Sequence, residues 1–483
     1  MSQQPAINHY QNYIGGKWVD SEKRIEVFDP ATEELVGTIA CAGLTEIDRA
    51  VKAARDCVAS GVLSKPRPSE RAGIIYRIAQ QIRALAEQGA ALLVRENGKT
   101  LDQARDEFEN AARYFEYYAG MTDKIEGRSI PLGEDYIDFT VYEPMGVSAQ
   151  IVPWNFPVDI CARSLAPALA AGNAVIVKSP ELCPLSMTFL AIACERAGLP
   201  PGALSMLCGY GSDAGANLIA HSGIDQIVFT GSVPTGQSIL KTAAKRAIPC
   251  VMELGGKSAA VVFPDADIEA LMSSIDWGIF FNAGQVCSAM SRLIVHEDIH
   301  DEVVAWARAL AEAQLIGNGF DAVTLTPVAS ADQQEKILGM CRMAEQQGAR
   351  LVIGGTAPNR GGYFVEPTIF ENVLPEMNIF QNEVFGPVLS VTKFKTEQQA
   401  WQLANATDYG LVAGIFTNDL NIALRGSRLL KAGQIFVNEW YAGGIETPFG
   451  GMKLSGFGRE KGQEALYNYV HTKNVAIRLR GGW

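Results

Sequence analysis

Short apolar segments alternate with helical patterns along the middle of this 483-residue chain, and this alternation limits its possible folds more than any other feature. Apolar segments with the length of strands lie at 147–152, 174–177, 204–207 and 226–229. Strands that alternate with helices predict a parallel sheet covered by helices on both faces. Similar segments farther along predict a second such layer, at 259–263, 293–295 and 351–353. Because one hydrophobic core rarely organises so many residues, we predict an α/β protein with two α/β domains and parallel-rich sheets.

The flanking regions have simpler patterns. An extended run at 13–19 predicts strands near the start of the chain. Apolar residues at helical spacing predict a helix from Thr45, a second helix with Ser69 as its N-cap, and a third over 101–121, whose aromatic residues we expect in the core. Alternating polar and apolar residues within 123–144 predict an antiparallel hairpin with one face toward water.

Charge and hydropathy exclude two classes of partner. The chain has 41 lysine and arginine residues against 53 aspartate and glutamate residues, a formal net charge of −12. An acidic chain without a long basic run is a poor binder of nucleic acid, because neutralisation of phosphates supplies most non-specific affinity. No segment reaches about 18 consecutive apolar residues, so we predict no membrane span. The first five residues lack the basic and apolar regions of a secretory signal, and we therefore expect a cytoplasmic protein.

Nine cysteines occur singly, without a Cys-x-x-Cys motif or a Cys/His cluster. This spacing predicts neither a structural zinc site nor a disulfide framework, and we expect no metal cofactor. The five histidines all lie away from the motifs described below, which argues against Ser-His chemistry.

One cysteine lies in a segment suited to nucleophilic chemistry. Cys287 follows Gly284-Gln285-Val286, a turn-forming stretch that a substrate could reach. A thiol becomes a strong nucleophile as thiolate, which requires a base or a positive local field. Glu253 is a candidate base, and Asn155, held between two prolines, is a candidate donor to an oxyanion. Thiol, carboxylate and fixed amide together favour attack on a carbonyl group.

A second turn has the composition of a phosphate site. The segment 230–236 contains two glycines and Ser232, follows an apolar strand and precedes a helical pattern. The N-terminus of a helix offers free N–H groups and a positive dipole end to a phosphate. The first strand of the predicted sheet is not followed by the G-x-G-x-x-G fingerprint of the usual dinucleotide fold, so that motif does not locate the cofactor.

Seven short motifs occur in an order that resembles one enzyme family, the NAD(P)-dependent aldehyde dehydrogenases, over nearly the whole chain. The motifs lie at 153–157, 177–181, 229–232, 253–257, 284–287, 383–387 and 448–453. The resemblance implies the aldehyde dehydrogenase-like fold, with a small protruding β element for oligomerisation and a homodimer or homotetramer as the assembly. The implied domains are an NAD-binding domain of 1–122 and 145–254, a catalytic domain of 255–446, an oligomerisation element of 123–144 and 467–483, and a return segment of 447–466.

The resemblance also implies a cofactor site. Its residues are Ile151, Val152, Pro153, Trp154, Lys178, Glu181, Gly211, Phe229, Ser232, Leu254, Glu383 and Phe385. Ser232 would contact the pyrophosphate, while Glu383 and Phe385 would hold the nicotinamide end. A carboxylate at Glu181 accepts hydrogen bonds from ribose hydroxyls and repels a 2′-phosphate, which favours NAD over NADP.

The implied mechanism gives each catalytic residue a role. The Cys287 thiolate attacks the aldehyde to form a thiohemiacetal, with the oxyanion held by Asn155 and a backbone N–H. Hydride transfer leaves a thioester, which water hydrolyses with Glu253 as base. Relatives that pass the acyl group to coenzyme A generally lack this glutamate, so hydrolysis is favoured. Two alternatives remain open: an NADP-preferring enzyme, and a dinucleotide-binding scaffold without turnover.

Two departures from the family pattern concern proton transfer. Many members have a lysine at the place of Ser164 and a glutamate at the place of Gln463, and these are proposed to relay protons. Both ionisable groups are missing at those positions, which predicts that Glu253 acts as base alone, through water.

The substrate site is implied by the same resemblance, with Ile160, Arg163, Phe281, Val286, Ser288 and Tyr441 as its residues. Succinate-semialdehyde dehydrogenases have arginine at the place of Arg163, where it can bind a carboxylate, and a second arginine at the place of Phe281. Two substrates therefore remain open: a larger semialdehyde with one anionic group, or an aromatic aldehyde packed on Phe281. A third interpretation is that Arg163 merely pairs with a nearby acid.

Overall fold

A computed structural model describes residues 8–480 of the chain. The strands are β1 (Asn8–Tyr10), β2 (Asn12–Ile14), β3 (Lys17–Val19), β4 (Arg24–Phe28), β5 (Leu35–Ala40), β6 (Ser129–Ile130), β7 (Tyr136–Pro144), β8 (Val147–Ile151), β9 (Ala174–Ser179), β10 (Leu204–Cys208), β11 (Gln226–Thr230), β12 (Cys250–Glu253), β13 (Ala259–Val262), β14 (Arg292–His296), β15 (Arg350–Ile353), β16 (Thr368–Glu371), β17 (Val388–Phe394), β18 (Val412–Phe416), β19 (Gln434–Val437), β20 (Gly456–Phe457) and β21 (Val470–Arg478). The helices are α1 (Leu44–Ser60), α2 (Pro68–Asn97), α3 (Leu101–Ala119), α4 (Pro157–Ala170), α5 (Thr188–Arg196), α6 (Ala216–Ala220), α7 (Val233–Ala244), α8 (Ile268–Ile275), α9 (His300–Glu312), α10 (Ala331–Gln346), α11 (Asn378–Gln381), α12 (Glu397–Ala404), α13 (Leu420–Leu429) and α14 (Glu464–Tyr467).

The first large sheet has eight strands in the order β20-β12-β11-β8-β9-β10-β2-β3. Its five central strands, β8 to β12, pair in parallel, which confirms the predicted α/β class. From β8 the chain continues through β9 and β10 on one side, then returns to place β11 and β12 on the other. Such a reversal of strand order leaves a crevice at the carboxyl ends of the strands, where α/β proteins bind their ligands.

The second large sheet has seven strands in the order β15-β16-β17-β14-β13-β18-β19 and is parallel except for β15. The predicted strands at 259–263, 293–295 and 351–353 belong to it. Each large sheet is packed against its own clusters of buried apolar side chains, one around the first sheet and two around the second. The separate cores agree with two α/β layers, while the predicted domain boundaries stay predictions.

The hairpin expected within 123–144 forms a small third sheet. Strands β6 and β7 pair antiparallel, and β21 pairs with β7 along its whole length, from Val470 opposite Pro144 to Arg478 opposite Tyr136. The C-terminal segment therefore adds a strand to this hairpin within the same chain. The ends of the predicted ranges 1–122 and 467–483, and the predicted absence of a signal sequence at the start, involve residues 1–7 and 481–483, which lie outside the described residues.

The helix after residue 67 begins two residues earlier than predicted. Pro68 takes the first helical position and Arg67 is the N-cap, so Ser69 lies inside α2 and the predicted Ser69 cap is wrong. Proline favours the first helical position because its missing N–H would be unsatisfied there in any case. The side chain of Glu70 instead accepts a hydrogen bond from the backbone N–H of Arg67, 3.1 Å away.

The aromatic side chains of α3 are buried, as predicted for core residues; they are Phe108, Tyr114, Phe115 and Tyr118. Among the helices of residues 8–480, none is long and apolar enough to cross a membrane.

Candidate active site

Cys287 follows a tight turn in which three successive residues have positive φ angles. Asn282, Ala283 and Gly284 have φ values of 49°, 53° and 70°. A β-carbon at Gly284 would lie 2.1 Å from the carbonyl oxygen of Gly386, so the turn is packed against a neighbouring segment and requires glycine. The Gln285 side chain accepts from the Ala329 N–H at 2.9 Å and donates to the Asn282 carbonyl at 3.1 Å. The backbone that presents the thiol is therefore held in place.

Two cavities meet at this cysteine. The larger encloses about 340 Å³ and the smaller about 170 Å³. Both are lined by Asn155, Ile160 and Cys287, which thus form the boundary between them. Glu253 lines the smaller cavity. The structure therefore brings the three predicted catalytic residues to one place.

The Asn155 side chain is positioned by a hydrogen bond to the backbone. Its Nδ2 donates to the carbonyl oxygen of Gln285 at 2.9 Å. A primary amide has two N–H donors, so the second hydrogen remains for an oxygen in the cavity. The backbone carbonyl of Asn155 accepts from Lys99 Nζ at 3.0 Å and from Asn282 Nδ2 at 3.2 Å.

A buried ion pair at the end of α2 supports this loop. Lys99 Nζ bonds to Glu107 Oε2, and both side chains are essentially inaccessible, at 0% and 1% exposure. The other oxygen of Glu107 accepts the N–H groups of Val158 and Asp159 at 2.8 and 3.1 Å, in the first turn of α4. These N–H groups lack partners inside the helix, and a carboxylate stabilises the positive end of the helix dipole. One buried pair thus connects α2, α3 and the segment that holds Asn155.

Glu253 ends β12, and its carboxylate is buried. Both oxygens lack a hydrogen-bond partner among the described residues. Burial raises the pKa of Glu253 well above its ordinary value, the neighbouring Glu460 carboxylate raises it further, and Arg163 opposes the shift. A carboxyl group in this setting holds its proton at neutral pH in the absence of other changes.

The Arg163 guanidinium forms an ion pair with Glu460 beside Glu253. Ionisable groups therefore lie beside Glu253 even though Ser164 and Gln463 carry none, and the prediction that Glu253 acts as base alone stays a prediction. Ser164 is buried and bonds to Gln150, and Gln463 is exposed, but a carboxylate three residues before Gln463 reaches the site. Of the three interpretations of Arg163, its contacts agree with the third, in which it pairs with a nearby acid.

The thiol of Cys287 lies in a largely apolar setting. Burial raises its pKa to about 12, the positive charge of Arg163 opposes this shift, and the carboxylates of Glu383, Glu253 and Glu460 add to it. The thiol is therefore neutral at pH 7 and needs a base to become a nucleophile.

The predicted cofactor residues, apart from Glu383 and Phe385, lie along the carboxyl ends of parallel strands of the first large sheet. Six of them line the smaller cavity: Pro153, Trp154, Ser232, Leu254, Glu383 and Phe385. The other six lie outside its lining; Ile151, Val152 and Phe229 are at the ends of β8 and β11, and Lys178, Glu181 and Gly211 are at the ends of β9 and β10.

The donor and acceptor groups along this edge fit a dinucleotide. Ser232 is exposed as N-cap of the 12-residue helix α7, so free N–H groups face outward for a phosphate. Lys178 Nζ binds Glu181 Oε2 at 2.6 Å, and Glu181 Oε1 lies 3.5 Å from the Gly211 nitrogen. The partly exposed carboxylate of Glu181 can accept hydrogen bonds from a ribose.

Glu383 and Phe385 form the other end of the smaller cavity. Glu383 Oε1 accepts the N–H of Gly256 at 3.0 Å, and a β-carbon at Gly255 would lie 2.3 Å from Glu383 Oε2. Burial raises the pKa of Glu383 to about 7. Phe385 has a φ of 59° and packs edge-on against Trp154, with ring centroids 5.4 Å apart.

All six predicted substrate residues line the larger cavity. Its walls are rich in aromatic rings: Phe281 stacks on Phe156 with centroids 5.9 Å apart and contacts Trp277 and Tyr441. Walls of this kind favour an apolar or aromatic substrate body.

Sequence reasoning missed several residues of the site. Gln333 and Lys336 line the cofactor-side cavity, and Asp159 and Lys461 line the larger one. Lys461 directly follows Glu460, and no pattern in that segment of the sequence singled out either residue. Within residues 8–480 no group of three or more histidine, cysteine or acidic side chains is arranged to hold a metal ion.

Comparisons with known proteins agree with this geometry. The chain matches the aldehyde dehydrogenase family over residues 18–475. It is 41% identical over 478 residues to aldehyde dehydrogenase family 2 member B4, mitochondrial, of Arabidopsis thaliana, covering 98% of this chain and 89% of that protein. It is 40% identical over 480 residues to benzaldehyde dehydrogenase, mitochondrial, of Antirrhinum majus, covering 98% and 90%. The NAD+ complex structure of aldehyde dehydrogenase from Bacillus cereus superposes with a TM-score of 0.96 at 37% identity, covering 98% of this chain and 97% of that one.

Proposed function

The chain belongs to the aldehyde dehydrogenase family, and we propose that it oxidises aldehydes to carboxylic acids through covalent intermediates on Cys287, with Glu253 as the hydrolytic base. Its cofactor is NAD, and it is an aldehyde oxidoreductase. One observation carries the proposed mechanism: Cys287 and Asn155 line both cavities, and Glu253 lines the cavity on the cofactor side. A thiol between two cavities can contact a substrate from one and a cofactor from the other.

In the first step the Cys287 thiol gives its proton to water, its sulfur bonds to the aldehyde carbon, and the electron pair of the carbonyl moves to oxygen. The resulting oxyanion lies where the free N–H of Asn155 and a backbone N–H can donate to it. Because the Asn155 side chain is already fixed by Gln285, it needs no reorganisation as charge develops. Residues Ser232, Lys178, Glu181, Glu383 and Phe385 would hold NAD, which supplies the acceptor for the hydride that leaves the carbon.

The thioester that remains is hydrolysed by water. Glu253 accepts a proton from that water as its oxygen bonds to the acyl carbon; the carbon–sulfur bond then breaks and the carboxylic acid leaves. Because burial raises the pKa of Glu253, its carboxylate, once it has lost its proton, is a stronger proton acceptor than an exposed carboxylate. The buried pair of Arg163 and Glu460 sets the electrostatic surroundings of that carboxyl group.

For the substrate, we propose an aldehyde with an apolar or aromatic body. The stacked rings of Phe156 and Phe281, together with Trp277 and Tyr441, support this choice. The name of the relative from Antirrhinum majus, a benzaldehyde dehydrogenase, points the same way. The resemblance to succinate-semialdehyde dehydrogenases suggested that Arg163 binds a carboxylate of the substrate. Because Glu460 already neutralises its charge, Arg163 contributes less to substrate selection than that resemblance implies.

The proposed mechanism is tested by a pre-steady-state experiment with benzaldehyde and NAD. Glu253→Gln should release one equivalent of NADH per active site in a burst, followed by turnover reduced by about 10²- to 10⁴-fold, the usual contribution of a general base. Cys287→Ala should show no burst. A Cys287→Ala protein that still forms NADH at the wild-type rate would contradict the mechanism, and a wild type without NADH formation would favour a non-catalytic scaffold.

We also propose a homodimer or homotetramer located in the cytoplasm. The three-stranded sheet of β6, β7 and β21 is small for an independent unit, and α13 exposes large apolar side chains, with Leu420 70% and Leu424 52% exposed. Light scattering on the purified protein tests the assembly: a monomeric mass would contradict it.

A further inference from the structure

The larger cavity has a charged side that the proposed chemistry does not use. Asp159 and Lys461 both line it, together with the aromatic residues. Asp159 Oδ1 is buried and has no hydrogen-bond donor among residues 8–480. The Lys461 ammonium packs over the ring of Phe449, 5.7 Å from its centroid. In the described part of the chain it has neither a hydrogen-bond acceptor nor an ion-pair partner.

The other charged side chains that line this cavity are either paired with an opposite charge or exposed to solvent. Arg163 pairs with Glu460, and Glu107 pairs with Lys99, so neither pair presents a net charge. Asp106 is exposed to solvent at the wall of the cavity. One unpartnered carboxylate and one unpartnered ammonium are therefore left facing the enclosed space.

The structure fixes the positions of both groups. The backbone of Glu460 bonds to that of Phe449 in both directions, at 2.6 and 2.7 Å, so the backbone next to Lys461 is anchored. Lys461 has a φ of 58°, a left-handed conformation that a lysine rarely adopts. Strained residues of this kind concentrate at functional sites. Asp159 is held through its own N–H, which donates to Glu107 Oε1 at 3.1 Å.

Asp159 and Lys461 attract each other, yet they do not form an ion pair in the described structure. Burial lowers the pKa of Lys461, and the charge of Asp159 opposes that shift. An anionic group alone would be attracted by Lys461 and repelled by Asp159. A cationic group alone would be attracted by Asp159 and repelled by Lys461. A ligand group that carries both charges satisfies both residues.

We propose that this pocket selects aldehydes whose remote end carries an α-amino acid group, with the ammonium on Asp159 and the carboxylate on Lys461. This inference rests on the proposed function, because it names the substrate class of the same cavity. The aromatic rings would enclose the body of the substrate between that charged end and Cys287.

Four benzaldehydes with the same ring test the proposal. They are 4-formyl-L-phenylalanine, 3-(4-formylphenyl)propanoate, 4-(2-aminoethyl)benzaldehyde and 4-propylbenzaldehyde. NADH formation should give the amino acid aldehyde the highest kcat/KM, by about tenfold over each singly charged analogue, the usual effect of one charge-assisted hydrogen bond. Equal values for all four, or a preference for the uncharged analogue, would overturn the proposal.

Two variants separate the charges. Lys461→Met keeps the aliphatic stem on Phe449 and should lower kcat/KM only for the two aldehydes with a carboxylate. Asp159→Asn should lower it only for the two with an ammonium group. A purely structural role would lower all four values by the same factor, which would contradict the inference. Lys461→Arg should retain selectivity, and Glu464→Gln, at an exposed position nearby, should leave every value unchanged.

Binding measurements distinguish this proposal from the proposed function. Calorimetric titration of the Cys287→Ala protein with the four aldehydes reports selectivity without turnover. If the amino acid aldehyde binds most tightly but the wild type forms no NADH, the proposed function fails and the selection by Asp159 and Lys461 stands. If the wild type turns over all four aldehydes without preference and the binding constants are equal, the substrate proposal fails alone.

Discussion

The Arg163 guanidinium and the Glu460 carboxylate form an ion pair inside the protein, with side chains only 8% and 3% exposed. The Glu253 carboxyl group lies close enough for both charges to act on its pKa, one in each direction. Two carboxyl groups and one guanidinium in a low-dielectric site favour the state in which one proton remains. The proton of Glu253 is thus controlled by a pair on two other segments of the chain.

The first prediction concerns pH. Replacing Glu460 by glutamine removes a negative charge beside Glu253 and leaves Arg163 unopposed, so the pKa of Glu253 should fall. Activity rises with pH as Glu253 loses its proton, and this rising limb of kcat should therefore move to lower pH in Glu460→Gln. Steady-state rates across the pH range, with thermal unfolding to confirm the fold, measure the shift. Glu464→Gln is the matched control, and an unchanged limb in Glu460→Gln would argue against the coupling.

The second prediction concerns Arg163. Because its charge is matched by Glu460, Arg163→Leu should lower kcat/KM for 4-oxobutanoate and for benzaldehyde by the same factor. Removal of one partner from a buried ion pair should also cost about 3–5 kcal/mol of stability, since Glu460 is left buried without its partner. Urea unfolding and initial rates measure the two effects. A selective loss for 4-oxobutanoate would show instead that Arg163 binds the substrate carboxylate.

The sequence predicts the fold well where local pattern decides structure. Apolar segments at 147–152 and 226–229 appear as β8 and β11, because buried parallel strands need continuous apolar residues. Motif order also located Cys287, Glu253 and Asn155, which the structure places around two adjoining cavities.

Prediction failed where contacts join distant segments. The pairing of Arg163 with Glu460 spans almost 300 residues, and neither a motif nor a local spacing encodes it. The supporting role of Lys99 and Glu107 is equally non-local, since it depends on where the first turn of α4 meets α3. The Ser69 cap was predicted wrongly for a local reason: Pro68 takes the first helical position, so α2 begins two residues earlier than predicted.

The third prediction concerns cofactor choice. Glu181 has a partly exposed carboxylate at the end of β9, bonded to Lys178 at 2.6 Å. Glu181→Ser removes the charge that repels a 2′-phosphate and leaves Lys178 free to attract it. The ratio of kcat/KM for NADP to that for NAD should rise by about tenfold or more, equivalent to about 1.4 kcal/mol. The double variant Glu181→Ser/Lys178→Met is the control and should lose most of this gain; an unchanged ratio in Glu181→Ser would place cofactor choice elsewhere.

The fourth prediction concerns the ion pair behind Asn155. Lys99→Met leaves the Glu107 carboxylate buried without its partner and removes a donor from the Asn155 carbonyl, 3.0 Å away. We expect a loss of about 3–5 kcal/mol in the free energy of unfolding, together with a lower kcat, because the oxyanion donor is no longer held in position.

In the double variant Lys99→Met/Glu107→Leu neither charge of this pair remains buried, so part of the stability should return. The low kcat should persist, since the Asn155 carbonyl still lacks its Lys99 donor and the N–H groups of Val158 and Asp159 now lack their acceptor as well. Urea unfolding and single-turnover rates separate the two quantities; full recovery of kcat in the double variant would mean that the pair serves stability and does not position Asn155.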